Sequence, residues 1–328
     1  MCAAAHHYHQ LFYHINYTEQ RKLEKNSGGP PAPLLPLPSS REQATLTAMN
    51  GIDLHIHSTY SDGTNSPTEL VELARQGELQ AIALTDHDTT AGLNEAMVHG
   101  QAVGVEVISG VEISADLHGQ PMHILGYDFS PEDKLLQKRL QVLQDARHQR
   151  NLSIFGRLRE LGIEIDINEI PPTPGQVGRP HIARLLIARK IVKNMDQAFS
   201  RLLRRGAAAY VQCYRLQAAE AIAMIRDAGG LPFLAHPAAN DRQLKGVPKL
   251  LAALKEMGLA GLELHYPTHS SKIFKTLHHL GADLDLLFSG GSDFHGDGKP
   301  YIQLGGRPKD QPIPYELLAV MKKQNRLQ

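Results

Sequence analysis

From Gly51 onward, the chain alternates short β-forming runs with longer stretches of helical periodicity. The run GIDLHIH at 51–57 precedes PTELVELARQ at 67–76, and AIALTDHD at 81–88 precedes TAGLNEAMVHGQAVG at 90–104. Further β-forming runs occupy 105–114, 121–129, 231–237, 258–267 and 285–295. This alternation predicts an α/β fold with a parallel sheet or barrel, in which active residues collect at the carboxyl ends of the strands.

A helix-rich segment at 131–205 interrupts this alternation. It contains fifteen Lys and Arg residues and eight Asp and Glu residues, a net charge of +7 in a chain whose formal net charge is zero. We therefore predict a metal-binding barrel formed by 49–130 and 206–328, with 131–205 inserted as a basic helical cap that contacts a phosphorylated substrate. A solvated helical surface without substrate contact is the alternative.

The first 48 residues differ from the rest and include GGPPAPLLPLPSS, whose Pro and Gly residues oppose regular helix or strand. We expect a disordered N-terminal extension at 1–48, with Met49 as a candidate natural start and no secretory signal. The chain has two cysteines and no apolar run long enough to span a bilayer, which favours a cytoplasmic protein. Zero net charge excludes a globally basic nucleic-acid-binding surface.

Histidine and acidic side chains follow the predicted strands. In the first strand, Asp53, His55 and His57 share one face because side chains alternate along a strand. Two imidazoles from this face can converge on one ion, and the following polar loop places Asp62 near the same strand end. Asp86 and Asp88 flank His87, and we expect them to orient ligand histidines, with a helix N-cap as the other role for Asp88.

Together, the strand ends supply nine candidate metal ligands: His55, His57, Asp62, His87, Glu112, His123, His236, Asp293 and His295. This set is large enough for two or three divalent ions. Nitrogen and oxygen ligands without thiolate suit Mn²⁺, Zn²⁺ or Fe²⁺, and we expect Mn²⁺, with Mg²⁺ also possible. Neighbouring ions of this kind hold a phosphate and generate hydroxide, so no protein nucleophile is expected.

The motifs DLHIHSTYSDGT, LTDHD, GVEIS, HILGY, AHP and GSDFH resemble those of the PHP (polymerase and histidinol phosphatase) domain family, over about 52–130 and 206–300. The resemblance implies a distorted (βα)7 barrel with a dinuclear or trinuclear metal centre. It implies one ion at His55, His57, Glu112 and Asp293, a second at Glu112, His123 and His236, and a third at Asp62, His87 and His295.

The inserted helical segment is similar to that of the TrpH/YciV-type branch of this family. That similarity implies hydrolysis of 3′,5′-nucleoside bisphosphates to nucleoside 5′-monophosphates (pAp to AMP), or 5′→3′ removal of mononucleotides from short RNA, with a role in RNA processing. Both reactions need a grip on a second phosphate. We expect a 5′-phosphate clamp formed by Arg147, Arg150, Asn151, Arg179 and His181, of which the first three share one helix face.

Other functions remain open at this stage. A histidinol-phosphatase-like phosphomonoesterase has the same metal ligands, but the long basic segment argues against it. A processive nuclease is disfavoured because the aromatic content is 5% and Trp is absent. A non-enzymatic nucleotide-binding module is disfavoured by the complete ligand set. We expect no membrane association and no obligate protein partner.

Overall fold

The computed structural model describes residues 51–239, 241–306 and 312–327. The predicted N-terminal extension lies outside the described residues. The strands are β1 Ile52–Ile56, β2 Ala81–Leu84, β3 Glu106–Leu117, β4 Gln120–Tyr127, β5 Leu216–Gln217, β6 Leu231–Leu234, β7 Gly261–His265 and β8 Leu287–Gly290. The α-helices are α1 Pro67–Gln76, α2 Leu93–Val103, α3 Lys134–Glu160, α4 Arg179–Ala188, α5 Met195–Ala198, α6 Ala218–Asp227, α7 Val247–Glu256, α8 Ser271–Asp283 and α9 Glu316–Asn325.

The strands form one sheet in the order β1-β2-β3-β4-β6-β7-β8, and the short β5 pairs with β3. The predicted α/β class is confirmed, but the sheet is mixed because β4 runs antiparallel to both β3 and β6. The physical reason is the connection from β3 to β4, which consists of His118 and Gly119. Both residues have positive φ, the geometry of a tight hairpin turn that cannot carry a parallel crossover.

Residues that follow β8 join the two outer strands of this order. The Asp293 amide donates to the His55 carbonyl at 2.7 Å, and the His57 amide donates to the Phe294 carbonyl at 2.9 Å. Gly291 permits this approach, since a Cβ atom on it would lie 2.3 Å from the His55 Cβ. The hydrogen bonds connect the ends of the sheet as a barrel requires, and they bring Asp293 beside the histidines of β1.

The insertion packs in two different ways along its length. In the first half of α3, Leu136, Leu140 and Leu143 are buried in the main apolar cluster with residues of the sheet and its helices. The second half belongs to a separate cluster in which Ile154 and Leu158 pack against side chains of α4 and the turns after it. The segment 131–205 is helical as predicted, whereas its boundaries as a domain stay a prediction.

The start of α4 follows from local chemistry. The helix begins at Arg179, and Pro180 occupies the first turn, where a missing amide hydrogen costs nothing. Among the described residues, no helix is both long and apolar enough to cross a membrane.

We expect Leu158→Ala to lower the free energy of unfolding by about 2–5 kcal/mol, because the fully buried side chain would leave a cavity in the second cluster. Urea unfolding measures this loss. Leu152→Ala is the matched control on the same helix: its side chain is 41% exposed, so a change within about 0.5 kcal/mol is expected. Equal losses in the two variants would contradict the separate core.

Candidate metal centre

The carboxylate of Glu112 lies at the centre of the site. Its Oε2 is 3.4 Å from His55 Nε2, 3.2 Å from His57 Nε2 and 2.9 Å from His87 Nδ1. Glu112 is 1% exposed, and β3 carries it into a region enclosed by β1 and the end of β2. One buried carboxylate oxygen therefore faces three imidazole nitrogens from two other strand ends.

The second oxygen of Glu112 faces two more imidazoles. Oε1 lies 2.7 Å from His123 Nδ1 on β4 and 3.0 Å from His236 Nε2 after β6. His236 has a φ of 29°, an unusual backbone conformation that directs its ring toward the centre. A single side chain thus contacts histidines from both halves of the sheet.

Two further carboxylates complete the acidic set. Asp293 Oδ1 lies 3.3 Å from His57 Nε2 and 3.3 Å from His295 Nδ1. Asp62 Oδ1 lies 3.3 Å from His295 Nε2 and 3.9 Å from His87 Nε2. Asp293 also has positive φ, at 55°, so the last strand end is strained where it meets the site.

The orphaned polar atoms of this cluster are ligand atoms. His55 Nε2, His57 Nε2, His87 Nδ1 and Asp62 Oδ1 are buried, and none of them makes a hydrogen bond of good geometry although ionisable neighbours lie within 4 Å. Burying such atoms unpaired is costly, and coordination of a cation would satisfy all of them. Imidazole nitrogens with carboxylate oxygens form a donor set that suits divalent transition metals, so the residues fit the expected ions.

All nine predicted ligands lie in this one cluster. Three groups have ligand atoms within 4.8 Å of one another: His57, Asp62, His87 and His295; His55, His57 and Asp293; and His87, Glu112 and His123. This grouping shares His57 and His87 between neighbours, whereas the expected division gave each to one ion. The assignment of individual residues to individual ions stays a prediction.

The charges of the cluster are mutually dependent. Burial would raise the pKa of Glu112, but His87, His123 and His55 hold it well below its ordinary value. Burial would also raise the pKa of Asp293, but Lys299, His55 and His295 hold it well below its usual range. The carboxylates are therefore ionised at neutral pH despite their burial, as ligands for cations must be.

Sequence reasoning missed Glu263, which is fully buried on β7. Its Oε1 lies 2.9 Å from His55 Nδ1, and its Oε2 accepts from the His236 amide at 2.7 Å. A proton held on Nδ1 by this contact leaves Nε2 of His55 free to face Glu112. The alternation that selected His55 and His57 also places Glu263 and His265 two apart at a strand end, so the signal was present.

The acidic neighbours of His87 have other partners than expected. Asp86 accepts from the Ser58 amide at 2.8 Å and from the hydroxyl groups of Ser58 and Ser61, so it shapes the loop after β1. Asp88 accepts from the Ser114 amide at 2.7 Å and pairs with Arg147. The N-cap prediction for Asp88 was wrong: α2 begins later, at Leu93, because the intervening residues form turns.

A cavity of about 400 Å³ opens beside the cluster. Of the predicted clamp, Arg147, Arg150 and Arg179 line this cavity. The other two are engaged within the insertion: Asn151 Nδ2 donates to the Val177 carbonyl at 2.7 Å, and His181 Nδ1 accepts from the Gly178 amide at 3.0 Å. The structure therefore brings three of the five to the wall and gives the other two a packing role.

Several residues of the cavity wall were not anticipated, among them Arg184, Arg215, Lys299 and Tyr301. Lys299 Nζ lies 2.5 Å from Asp293 Oδ2, and the Tyr266 hydroxyl donates to the same oxygen at 2.8 Å. Lys299 and Tyr301 lie in the turn directly after the GSDFH motif. Because that motif supplies two predicted ligands, the sequence could have indicated that these two residues lie near the site. Arg215 belongs to no local pattern and reaches the wall only through the tertiary fold.

Comparison with known proteins places these features in a family. The PHP domain model matches residues 53–200. A 5′-3′ exoribonuclease from Haemophilus influenzae is 37% identical over 244 residues, covering 74% of this chain and 89% of that protein. A 3′,5′-nucleoside bisphosphate phosphatase from Chromobacterium violaceum is 31% identical over 271 residues, covering 81% and 94%.

A solved structure from Bifidobacterium adolescentis, described as that of a metal-dependent phosphoesterase, has a TM-score of 0.76 and 29% identity, covering 84% of this chain and 96% of that one. The chain belongs to the PHP domain family. It is a hydrolase that acts on phosphoester bonds and depends on metal ions.

We expect Glu263→Gln to weaken Mn²⁺ binding about 10- to 100-fold, the usual cost of losing a partner of a metal-ligating histidine. The glutamine side chain has one acceptor oxygen, whereas Glu263 uses one oxygen for the His55 ring and the other for the His236 backbone amide. Isothermal titration of metal-free protein with Mn²⁺ measures the change. Glu256→Gln, at an exposed helix end, is the control and leaves affinity unchanged. Wild-type affinity in the Glu263 variant would show that it positions no ligand.

Proposed function

We propose that the protein hydrolyses phosphoesters of small nucleotides that carry a second phosphate. The substrate is a 3′,5′-nucleoside bisphosphate that loses its 3′-phosphate, with pAp converted to AMP, or a short 5′-phosphorylated RNA that loses 5′ mononucleotides. The names of the two relatives support these chemistries, since one is an exoribonuclease and the other a bisphosphate phosphatase. Several cationic side chains line the cavity beside the metal ligands, which supports a substrate with two phosphates.

Arg150 carries this proposal. It is 7% exposed, its Nε donates to Asn151 Oδ1 at 3.0 Å, and its Nη2 is buried without a partner. Among the described residues, no carboxylate forms an ion pair with it. Burial, with the nearby guanidinium of Arg147, lowers the pKa of Arg150 to about 10, so the side chain is still charged at neutral pH. A buried, unpaired guanidinium on a cavity wall calls for an anionic ligand.

The wall around Arg150 is strongly cationic. Arg179 and Arg215 line the same cavity, and their charges act on Arg150. Arg147 is partly neutralised by Asp88, so it holds the end of β2 to α3 as well as facing the cavity. The cavity volume of about 400 Å³ is within the range of small-molecule sites. A nucleotide with phosphates at two positions matches a cavity that is lined by both arginines and metal ligands.

We assign the metal centre to two or three ions, with Mn²⁺ the expected species. The expected ligand sets are His55, His57, Glu112 and Asp293; Glu112, His123 and His236; and Asp62, His87 and His295. Ions held there would polarise the phosphoester and activate water. The protein's own residues do the rest: the arginines hold the distal phosphate, Glu263 fixes the ring of His55, and Tyr266 with Lys299 orients Asp293.

A cytoplasmic location and action without an obligate protein partner complete the proposal. Cys213 is a free cysteine, which agrees with a reducing compartment.

Substrate choice is tested by incubating Mn²⁺-loaded protein with adenosine 3′,5′-bisphosphate and, separately, with a short 5′-phosphorylated RNA. We expect a higher kcat/KM for phosphate release from the 3′ position of the bisphosphate than for mononucleotide release from RNA. The reason is size, because a cavity of about 400 Å³ suits a single nucleotide better than an oligonucleotide. The reverse order would make the protein an exoribonuclease. Hydrolysis of histidinol phosphate in preference to both would contradict the proposal.

Loss of the Arg150 guanidinium tests the second-phosphate grip. Arg150→Met is expected to raise KM for adenosine 3′,5′-bisphosphate by about tenfold or more, the size of a charged hydrogen bond, with little change for adenosine 3′-monophosphate. Steady-state kinetics on both substrates measure the difference.

Arg159→Met, on an exposed position of the same helix, is the matched control. Arg150→Lys keeps the charge but loses the planar guanidinium that can donate two hydrogen bonds to one phosphate. Its KM is therefore expected to fall between those of the wild type and the Met variant. A KM increase of equal size for both substrates would show that Arg150 does not contact the second phosphate.

A further inference from the structure

We propose that the ring of Tyr301 is the surface on which the nucleobase of the substrate stacks, which makes Tyr301 a specificity-determining residue. This inference rests on the proposed nucleotide substrate and adds to it the way the base is recognised. Neither the metal ligands nor the arginines distinguish a nucleotide from any other compound with two phosphates. A contact to the base is therefore needed if the site is to select nucleotides.

Tyr301 lies on the cavity wall, yet its side chain is 73% exposed. Among the described residues, it has no hydrogen bond, ion pair or ring contact. An aromatic side chain left open to solvent beside a substrate cavity has apolar area available for a ligand, and aromatic residues of this kind are enriched at binding sites.

Phe199 is the other phenyl-type ring that lines the cavity, and it already has a partner. The Arg179 guanidinium lies 5.9 Å from the centre of the Phe199 ring, and the ring packs against the apolar cluster of the insertion. One face is thus used by a cation and part of the ring by the core. Tyr301 is the ring whose faces remain available.

The backbone on both sides of Tyr301 is fixed. Before it, Lys299 is bonded to Asp293, and the Asp297 amide donates to Thr64 Oγ1 at 2.9 Å. After it, Ile302 is 6% exposed, and its amide donates to the Lys299 carbonyl at 2.9 Å. The Tyr301 backbone is therefore anchored near the metal ligand Asp293, because the Tyr301 Cα atom lies two residues beyond Lys299 and within about 7 Å of the Lys299 Cα atom.

The chemistry of a nucleotide matches this placement. In a 3′,5′-bisphosphate, only the ribose separates each phosphate from the base, so a base must lie close to the groups that hold the phosphates. Every base presents a π face to an aromatic ring, so stacking selects for a base without selecting one sequence. The phenolic hydroxyl is not needed for such a contact, and this gives a conservative variant for the test.

The experiment compares two substrates that differ only in the base: 2′-deoxyadenosine 3′,5′-bisphosphate and the corresponding 1,2-dideoxyribose 3,5-bisphosphate, which has none. Wild-type protein is expected to show a lower KM for the nucleotide. Tyr301→Ala is expected to raise that KM by on the order of tenfold, the scale of one base–aromatic stack, with KM for the baseless compound and both kcat values unchanged. Tyr301→Phe is expected to keep the wild-type preference.

Each other outcome has a distinct meaning. A Tyr301→Ala variant that loses activity equally on both substrates would give Tyr301 a structural role and overturn the inference, as would a variant with the wild-type preference. The proposed function would survive in both cases, because the nucleotide is still hydrolysed by the wild-type protein. If the wild-type protein hydrolyses neither substrate, the stacking inference is wrong, and so is the bisphosphate-phosphatase form of the proposed function; activity on short 5′-phosphorylated RNA would then leave only the exoribonuclease form.

Discussion

The site depends on the burial of one carboxylate among imidazoles. Glu112 is almost inaccessible to solvent, and its two oxygens contact histidines from β1, β4 and the ends of β2 and β6. A charge in such a place is unfavourable without partners, so the strands that meet there supply them. The closing hydrogen bonds between β1 and the residues after β8 then add Asp293 and His295 to the same cluster.

The inserted segment supplies positive charge beside the carboxylates of the metal site. The first half of α3 is anchored in the core of the sheet, which brings Arg147 and Arg150 to the cavity beside the metal ligands. The Arg147–Asp88 pair joins α3 to the strand end that carries His87, so the cationic wall and the metal centre are held to one another by a direct contact. Phosphate chemistry needs both, since one side holds the substrate and the other acts on it.

Strand ends were predictable because local motifs specify them: DLHIH places His55 and His57 two residues apart, and LTDHD and GSDFH place His87, Asp293 and His295 just after β2 and β8. The antiparallel β4 was not predicted, although the two-residue connection His118-Gly119 signalled it. Asn151 was placed in the clamp by helical spacing and His181 by its closeness to Arg179 in the sequence, but their hydrogen bonds hold both within the insertion. Arg215 depends on which distant segments meet at the cavity, and helical or strand periodicity does not contain that information.

The most direct test is an anomalous-scattering crystal structure of the protein prepared with Mn²⁺. We predict anomalous peaks within coordination distance of the Glu112 carboxylate and of the imidazoles around it, with Arg150 lining the same cavity. Peaks located only at other carboxylates, with the histidines of the cluster still unligated at saturating Mn²⁺, would contradict the account.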